Sequence, residues 1–488
     1  MVSAVSWLVQ QGQPLYHDLD AADRYSVLYG PSVYLTNGLF LEILGPSLFS
    51  AKLASFLGAV FSLVFFYAAL ARRKVDTTAL WVTGFVTLYY WMQGFAVYLV
   101  RPDSLTLFSI SFGLFAVVKT RRTIGCLALA VVIGFVVNLK IHAGLYCLPI
   151  LGILIDRWGW RAGLLTLGGA FLVVLAPFAL YPQVSLATYL LWLSSALKHG
   201  LSTSTLLLTG RYVVFLLLPL AVFQVAGLWP RNLLVQHRNF VLFLVIAVPL
   251  SILFSSKPGA GLVHVLPLVP AVMYLVGLIL RKMGPELKRV PLNRKGAGLV
   301  FAWLLALILV GSIKEYQSIR SVQVNTRESE EVVVDLQEIM VRYDYLKIAM
   351  ACGGEAANFR KTWLRPLLVF QDNPLFLDPI SVMDSCKSGR ELSDKTVDAM
   401  VEGRVDLWLV PRLHAPFEKK SWYPPHRPIF PEEFIRQFHE NFTLAGHSRY
   451  FDFWFWDGLE ESQRQGKPSV GIEELVSATL EEDFSSEL

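Results

Sequence analysis

Charged side chains are scarce in this chain: Asp, Glu, Lys and Arg make up 17% of its 488 residues, where ordinary soluble domains carry about a quarter. That shortage excludes a simple water-soluble globule. Cysteine is scarce too, at four residues. Cys126 and Cys147 stand in apolar runs, and Cys352 and Cys386 are too few and too widely spaced for a zinc site. A Cys352 to Cys386 disulfide is the one bridge an oxidising compartment could add. No metal-ligand spacing stands out, no signal peptide opens the chain, and no inverted or parallel repeat of the kind common in transporters relates its halves.

What is abundant is apolar surface, with 54% hydrophobic and 13% aromatic residues and a mean hydropathy of +0.49. A bilayer is the solvent such a chain requires. Apolar stretches able to cross about 30 Å of hydrocarbon lie near 50–71, 78–98, 104–118, 123–139, 143–155, 162–182, 211–228, 239–254, 262–280 and 297–313. The segments between them alternate in basic charge. One set carries sixteen Lys and Arg residues, from Arg72, Arg73 and Lys74 to Arg294 and Lys295, and the other carries seven over longer segments. By the positive-inside rule the sixteen face the cytoplasm. Residues 1–49, the segment at 101–103 and everything after about 314 are then expected outside, in a bacterium beyond the inner (plasma) membrane. An outward N-terminus is an uncommon start, which leads to the expectation of a further helix ahead of Met1.

Three parts follow: a first outer loop with juxtamembrane helices over 1–49, a transmembrane helical domain over 50–313, and a soluble extracytoplasmic α/β domain over 314–488. In the last, Glu330–Arg342 reads as a helix and Leu346–Cys352, Leu367–Phe370 and Val405–Val410 as strands, with helices near 393–402 and 431–440. Gly353 and Gly354 read as a tight turn more than as a phosphate cradle. The aromatic string Tyr450 to Trp456 reads as an edge strand on the core or the membrane surface, with a sugar platform as the other reading.

Polar groups at the outer ends of spans are costly near hydrocarbon, so each is a functional candidate. Residues 12–31 hold Asp18, Asp20 and Asp23. Arg101 and Asp103 head the third span, Lys140 and His142 follow the fourth, and Lys257 and His264 flank a Pro-Gly break before the ninth. Carboxylates therefore face cations. Transfer of a sugar from a lipid phosphate needs this combination, a carboxylate to take a proton from the acceptor hydroxyl and cations to hold the phosphate leaving group. The bland readings are an Arg101–Asp103 ion pair capping a span, a Lys140 that snorkels to the interface, and packing for His142. Lys257 resists such a reading, because irregular backbone at membrane depth belongs where it lines a cavity.

The stretch Gly12–Tyr16, then Tyr29-Gly30-Pro31 and Leu44 to Phe49 ahead of a span, resembles the first outer loop of GT-C superfamily glycosyltransferases of the bacterial polyprenyl-phosphate-sugar type. Arg101 to Ser104 at a span head is similar too, and Phe254 to Lys257 with Leu266-Pro267 looks like the phosphate-binding break of the aminoarabinose transferases. The resemblance, which extends to protein mannosyltransferases, covers most of residues 10–280. It implies an α-helical polytopic membrane enzyme with about ten transmembrane helices. It further implies an inverting hexosyl or pentosyl transfer from a polyprenyl-phosphate monosaccharide to a glycan, lipid or protein acceptor, with membrane lipids as surroundings and no nucleic-acid partner. The catalytic residues it implies are Asp18 and Asp20, and the substrate-binding ones Tyr29, Arg101, Asp103, Lys140, His142, Lys257 and His264. The carboxylates of this loop could hold a divalent metal or none. In such relatives the leading acidic pair stands upstream of the Gly12–Tyr16 stretch, at or before Met1 here, so Asp18 or Asp20 would be the second acid. Lys52 stands where arginine is common, which keeps charge but loses the fork. The rival reading is a transporter or flippase of lipid-linked sugars.

Overall fold

The computed structural model describes residues 1–25, 29–93, 99–225, 231–283, 294–354, 360–422 and 425–467. The ends of the spans read at 78–98 and 211–228, and the basic residues Lys288 and Arg289, fall outside them. The described residues group into two compact units: Val2–Tyr16 with Val27–Ser321, and Met1 with His17–Ser26 and Val322–Leu488.

The larger unit is helical. In order, α1 (Val2–Gln10), α2 (Pro31–Leu44), α3 (Leu48–Leu70), α4 (Thr77–Trp91), α5 (Pro102–Lys119), α6 (Arg122–Val137), α7 (Leu148–Trp158), α8 (Trp160–Leu180), α9 (Leu186–Leu197), α10 (Thr203–Val225), α11 (Arg231–Gln236), α12 (Arg238–Ser255) and α13 (Val269–Met283) precede the start of α14 (Arg294–Arg342). Tight 3-10 turns at Ile141–Cys147 and Leu262–Leu268 lead into α7 and α13. Among the described residues seven helical segments are long and apolar enough to cross a membrane. The described part of every apolar stretch read from the sequence falls mainly on helices. The short apolar α9, whose buried face is Tyr189, Trp192 and Ser195, had no counterpart in that reading.

Prolines inside spans free carbonyls that the hydrocarbon cannot satisfy, and neighbouring helices take them up. Pro177 in α8 deprives Val173 of its intrahelical donor. The Asn138 amide donates to the Val173 and Val174 carbonyls at 3.3 and 3.1 Å. In α10, Pro219 frees the Phe215 carbonyl, and the Tyr89 hydroxyl donates to it at 3.2 Å. Polar side chains thus tie α6 to α8 and α4 to α10 at the points where their partners' backbones are broken.

The second unit is an α/β layer structure. Strands β1 (Ile348–Met350), β2 (Leu407–Pro411), β3 (Lys420–Trp422), β4 (Pro425–Pro428), β5 (Phe442–His447) and β6 (Phe451–Trp456) form a four-stranded sheet of order β1-β2-β6-β5 and a separate β3-β4 pair. β1 and β2 are parallel, and the other neighbours in the large sheet are antiparallel. The two-residue period decides the faces. Leu407, Leu409, Phe451, Phe453 and Phe455 pack against Val332, Leu336 and Ile339 of α14 and Tyr343 just after it. Trp408 and Val410 face Phe417, Phe430, Phe434 and Phe438 on the other side.

Two expectations are corrected. Leu367–Phe370 is no strand: the segment is the short helix Arg365–Val369, where Pro366 sits in the first turn, a position that tolerates its missing N–H. The aromatic string is no edge strand either, because β6 lies between β2 and β5, and burial of Phe451, Phe453 and Phe455 against α14 explains the aromatics. Cys352 and Cys386 are free thiols, as are Cys126 and Cys147.

The first outer loop divides. Residues 17–26 belong with the α/β unit, because Arg24 bridges Leu377 as an extra strand residue. Its N–H donates to the Phe376 carbonyl and its carbonyl accepts from the Asp378 N–H, each at 2.7 Å.

Candidate active site

In the helical unit the site starts from the head of α5. Pro102 takes the first helical position, and Asp103 follows it, a place where the helix dipole favours a carboxylate. Arg101, the residue ahead of the helix, turns its Nε to the Asp103 Oδ2 at 3.0 Å. The Lys140 Nζ reaches the Asp103 Oδ1 at 2.6 Å, with the Lys140 and Asp103 side chains only 7% and 4% exposed. This is not a snorkelling lysine, nor is Arg101–Asp103 a pair closed on itself: one buried carboxylate is shared by two cations, which leaves the trio with a net positive charge. Tyr29 completes the wall. Its ring centroid lies 5.5 Å from the Lys140 Nζ, it lies within electrostatic reach of Arg101, and its carbonyl accepts from the Tyr16 hydroxyl at 3.0 Å.

Lys140 is held in place by the turn that carries it. The Asn138 side chain is anchored on α8, and the Gly30 and Ser32 N–H groups donate to the Leu139 and Asn138 carbonyls at 3.1 and 3.0 Å. Gly30 comes so close that a Cβ there would lie 2.2 Å from the Asn138 carbonyl oxygen. Glycine is needed for this approach.

The break between α12 and α13 brings the second set. The Ser255 and Ser256 hydroxyls fold back on the Ser251 and Ile252 carbonyls, each at 2.6 Å. The Ser256 carbonyl then accepts from the Ser202 N–H at 2.7 Å. Lys257 follows, half-buried, and among the described residues no carboxylate lies within ion-pair distance of it. Burial lowers its pKa, because a low-dielectric setting disfavours the charged form. His264 stacks on His142, ring centroids 5.3 Å apart. Its Nδ1 donates to the Ala260 carbonyl at 2.8 Å, which leaves Nε2 as an acceptor. The Tyr146 hydroxyl donates to the His264 carbonyl. His264 also lies within electrostatic reach of Asp103, and Lys257 within reach of His142.

The structure therefore assembles Tyr29, Arg101, Asp103, Lys140, His142, Lys257 and His264 in one unit. Asp18 and Asp20 sit in the other. Both are exposed, and the Asp20 carboxylate is 3.9 Å from Arg390. Asp23 pairs with Arg404 at 2.8 Å, and burial raises its pKa against that attraction. Asn138 escaped the sequence reading, and its only signal was a lone amide at the end of an apolar run. Among the described residues no group of three or more His, Cys, Asp or Glu side chains is placed to ligate a metal.

A helical bundle of this organisation with a small C-terminal α/β unit is a fold shared with solved structures of ArnT. Two solved structures carry the likeness. ArnT from Cupriavidus metallidurans bound to undecaprenyl phosphate matches with a TM-score of 0.53 and 12% identity over 93% of this chain and 92% of that one. The same protein in the apo state matches with a TM-score of 0.53 and 13% identity over the same shares. No family model and no curated protein matches in sequence. At this identity the likeness is one of fold.

Proposed function

We propose that the chain transfers a monosaccharide from a polyprenyl-phosphate donor to an acceptor at the outer face of the membrane. The observation that carries this is the buried trio, two cations on one carboxylate, with the half-buried Lys257 and Lys140 both within electrostatic reach of His142. A surplus of positive charge taken out of water calls for an anionic ligand, and a lipid phosphate reaches such a place from the bilayer. The fold supports the reading, since ArnT, which shares it, is described with undecaprenyl phosphate bound. The charge alternation of the connecting segments supports the outer face.

In this reading Arg101, Lys140 and Lys257 hold the phosphate, and Tyr29, His142 and His264 line the donor. Asp103 keeps its two cations aligned. Its carboxylate is already engaged by both, so it is poorly placed to take a proton. That role falls to Asp18 or Asp20, which are exposed, with the Asp20 carboxylate 3.9 Å from Arg390. The acceptor oxygen attacks the anomeric carbon as the bond to the phosphate oxygen breaks. Configuration inverts, the carboxylate receives the acceptor's proton, and the polyprenyl phosphate leaves with the bonding electron pair. Cations placed where that charge develops stabilise the transition state more than the ground state.

The test is binding of undecaprenyl phosphate to the full chain in lipid nanodiscs, with Lys257→Ala and Lys140→Met expected to weaken it at least tenfold. Undiminished binding in both variants would remove the phosphate role. Asp18→Asn and Asp20→Asn should bind normally yet lose transfer, and full turnover in both would place the base elsewhere.

A further inference from the structure

We infer that His142 makes a direct hydrogen bond to a hydroxyl of the donor's sugar and so sets which sugar the site accepts. The inference rests on the donor chemistry proposed above and adds a residue-level role to it. Three observations converge. The His142 Nε2 is buried and has no hydrogen-bond partner among the described residues, an arrangement costly enough that a native structure seldom keeps it without a use. The ring is not free to turn away: it lies nearly parallel to Phe254, with centroids 5.8 Å apart and planes 7° apart. It also stacks on His264 at 5.3 Å and 25°. Finally, His142 lies within electrostatic reach of Lys140, Asp103 and Lys257, so it is common to the two sets of charged groups.

The chemistry favours a hydroxyl over the phosphate. Three cations already serve the anion. A phosphate oxygen can only accept, so it would demand the tautomer with its proton on Nε2, whereas a sugar hydroxyl both donates and accepts and suits either tautomer. A pocket built to pair a hydroxyl rejects ligands that lack it far more sharply than an apolar pocket does.

The experiment compares two variants of the full chain in nanodiscs. His142→Phe keeps the stacked ring and removes the nitrogen, and His142→Gln keeps an amide near the Nε2 position and removes the ring. The probes are undecaprenyl phosphate itself and a panel of undecaprenyl-phosphate hexose, aminohexose and pentose. The wild type is expected to bind at least one sugar-bearing lipid more tightly than the bare phosphate. His142→Phe should lose about tenfold of that preference while holding the bare lipid as before, and His142→Gln should retain most of it. A sugar preference unchanged in His142→Phe overturns the inference, as does equal loss for the bare lipid, which would mark a phosphate contact. Failure of His142→Gln alone would show a packing role, and no sugar preference in the wild type would likewise refute the contact. Wild-type protein that binds none of these lipids would instead sink the donor reading beneath it.

Discussion

Replacing Lys140 by methionine removes one of the two cations on Asp103 and tests whether the buried trio exists as drawn. The Nζ to Oδ1 distance is 2.6 Å, with both side chains more than nine-tenths buried. At an effective dielectric of about 20, two unit charges so close attract by about 6 kcal/mol, before desolvation of several kcal/mol per ion is set against it. Stranding one member of a buried pair costs about 3–5 kcal/mol. Lys140→Met should fall at the low end, near 3 kcal/mol, because Arg101 still faces the other carboxylate oxygen. Asp103→Leu strands Lys140 itself and should cost more. The double variant Asp103→Leu with Lys140→Met replaces the pair by apolar groups, while Arg101, 28% exposed, can turn to water, so its loss should stay below about 2 kcal/mol. The assay is reversible denaturant unfolding in bicelles followed by tryptophan fluorescence. If the double loss equals the two single losses taken together, to within about 0.5 kcal/mol, Lys140 and Asp103 do not interact and the trio is wrong.

Asn138→Ala should destabilise the helical unit by about 1–3 kcal/mol, because the Val173 carbonyl that Pro177 leaves without a donor becomes unsatisfied. In a Pro177→Ala background, where residue 177 regains its N–H, the same substitution should cost much less, and an unchanged cost would refute the capping role. In the α/β unit, Gly403 has φ +73°, and a Cβ there would lie 2.5 Å from the Trp456 ring. Gly403→Ala should therefore lower stability by about 2 kcal/mol in the full chain, and no shift in unfolding midpoint would contradict this packing. Burial pushes the Cys352 thiol up to about 12. Because the folded value is raised, the stability this thiol contributes is complete below its unfolded value of about 8.5 and is lost as pH rises through 12. With Cys352 as the sole cysteine, maleimide at pH 8 should label it only on unfolding, and rapid native labelling would show the site to be open.

Some of this was written in local sequence. Apolar runs of membrane-spanning length fell mainly on helices, since a helix in hydrocarbon must satisfy its own backbone and length follows from bilayer thickness. The helices near 393–402 and 431–440 and the strand at Val405–Val410 were equally plain, because side-chain period is a property of neighbours along the chain. Period failed where tertiary context outweighed it. Leu367–Phe370 is too short for its apolar character to separate strand from helix, and Pro366 settled it. The aromatic run of β6 gave its alternation but not its place between β2 and β5, which depends on strands distant in sequence.

Among the site residues, sequence alone brought out the types and their sidedness: carboxylates in the first outer loop, cations at span ends, and Lys257 in an irregular break. Tertiary structure decided the partnerships. Asp103 and Lys140 stand 37 residues apart, and only the packing of α5 against α6 makes one carboxylate serve both Lys140 and Arg101. The backbone of Arg24, hydrogen-bonded at Phe376 and Asp378, decided that Asp18 and Asp20 group with the α/β unit. Composition and period report what each segment needs from its solvent, whereas a buried charge is defined by its neighbours, and those are chosen when distant segments pack.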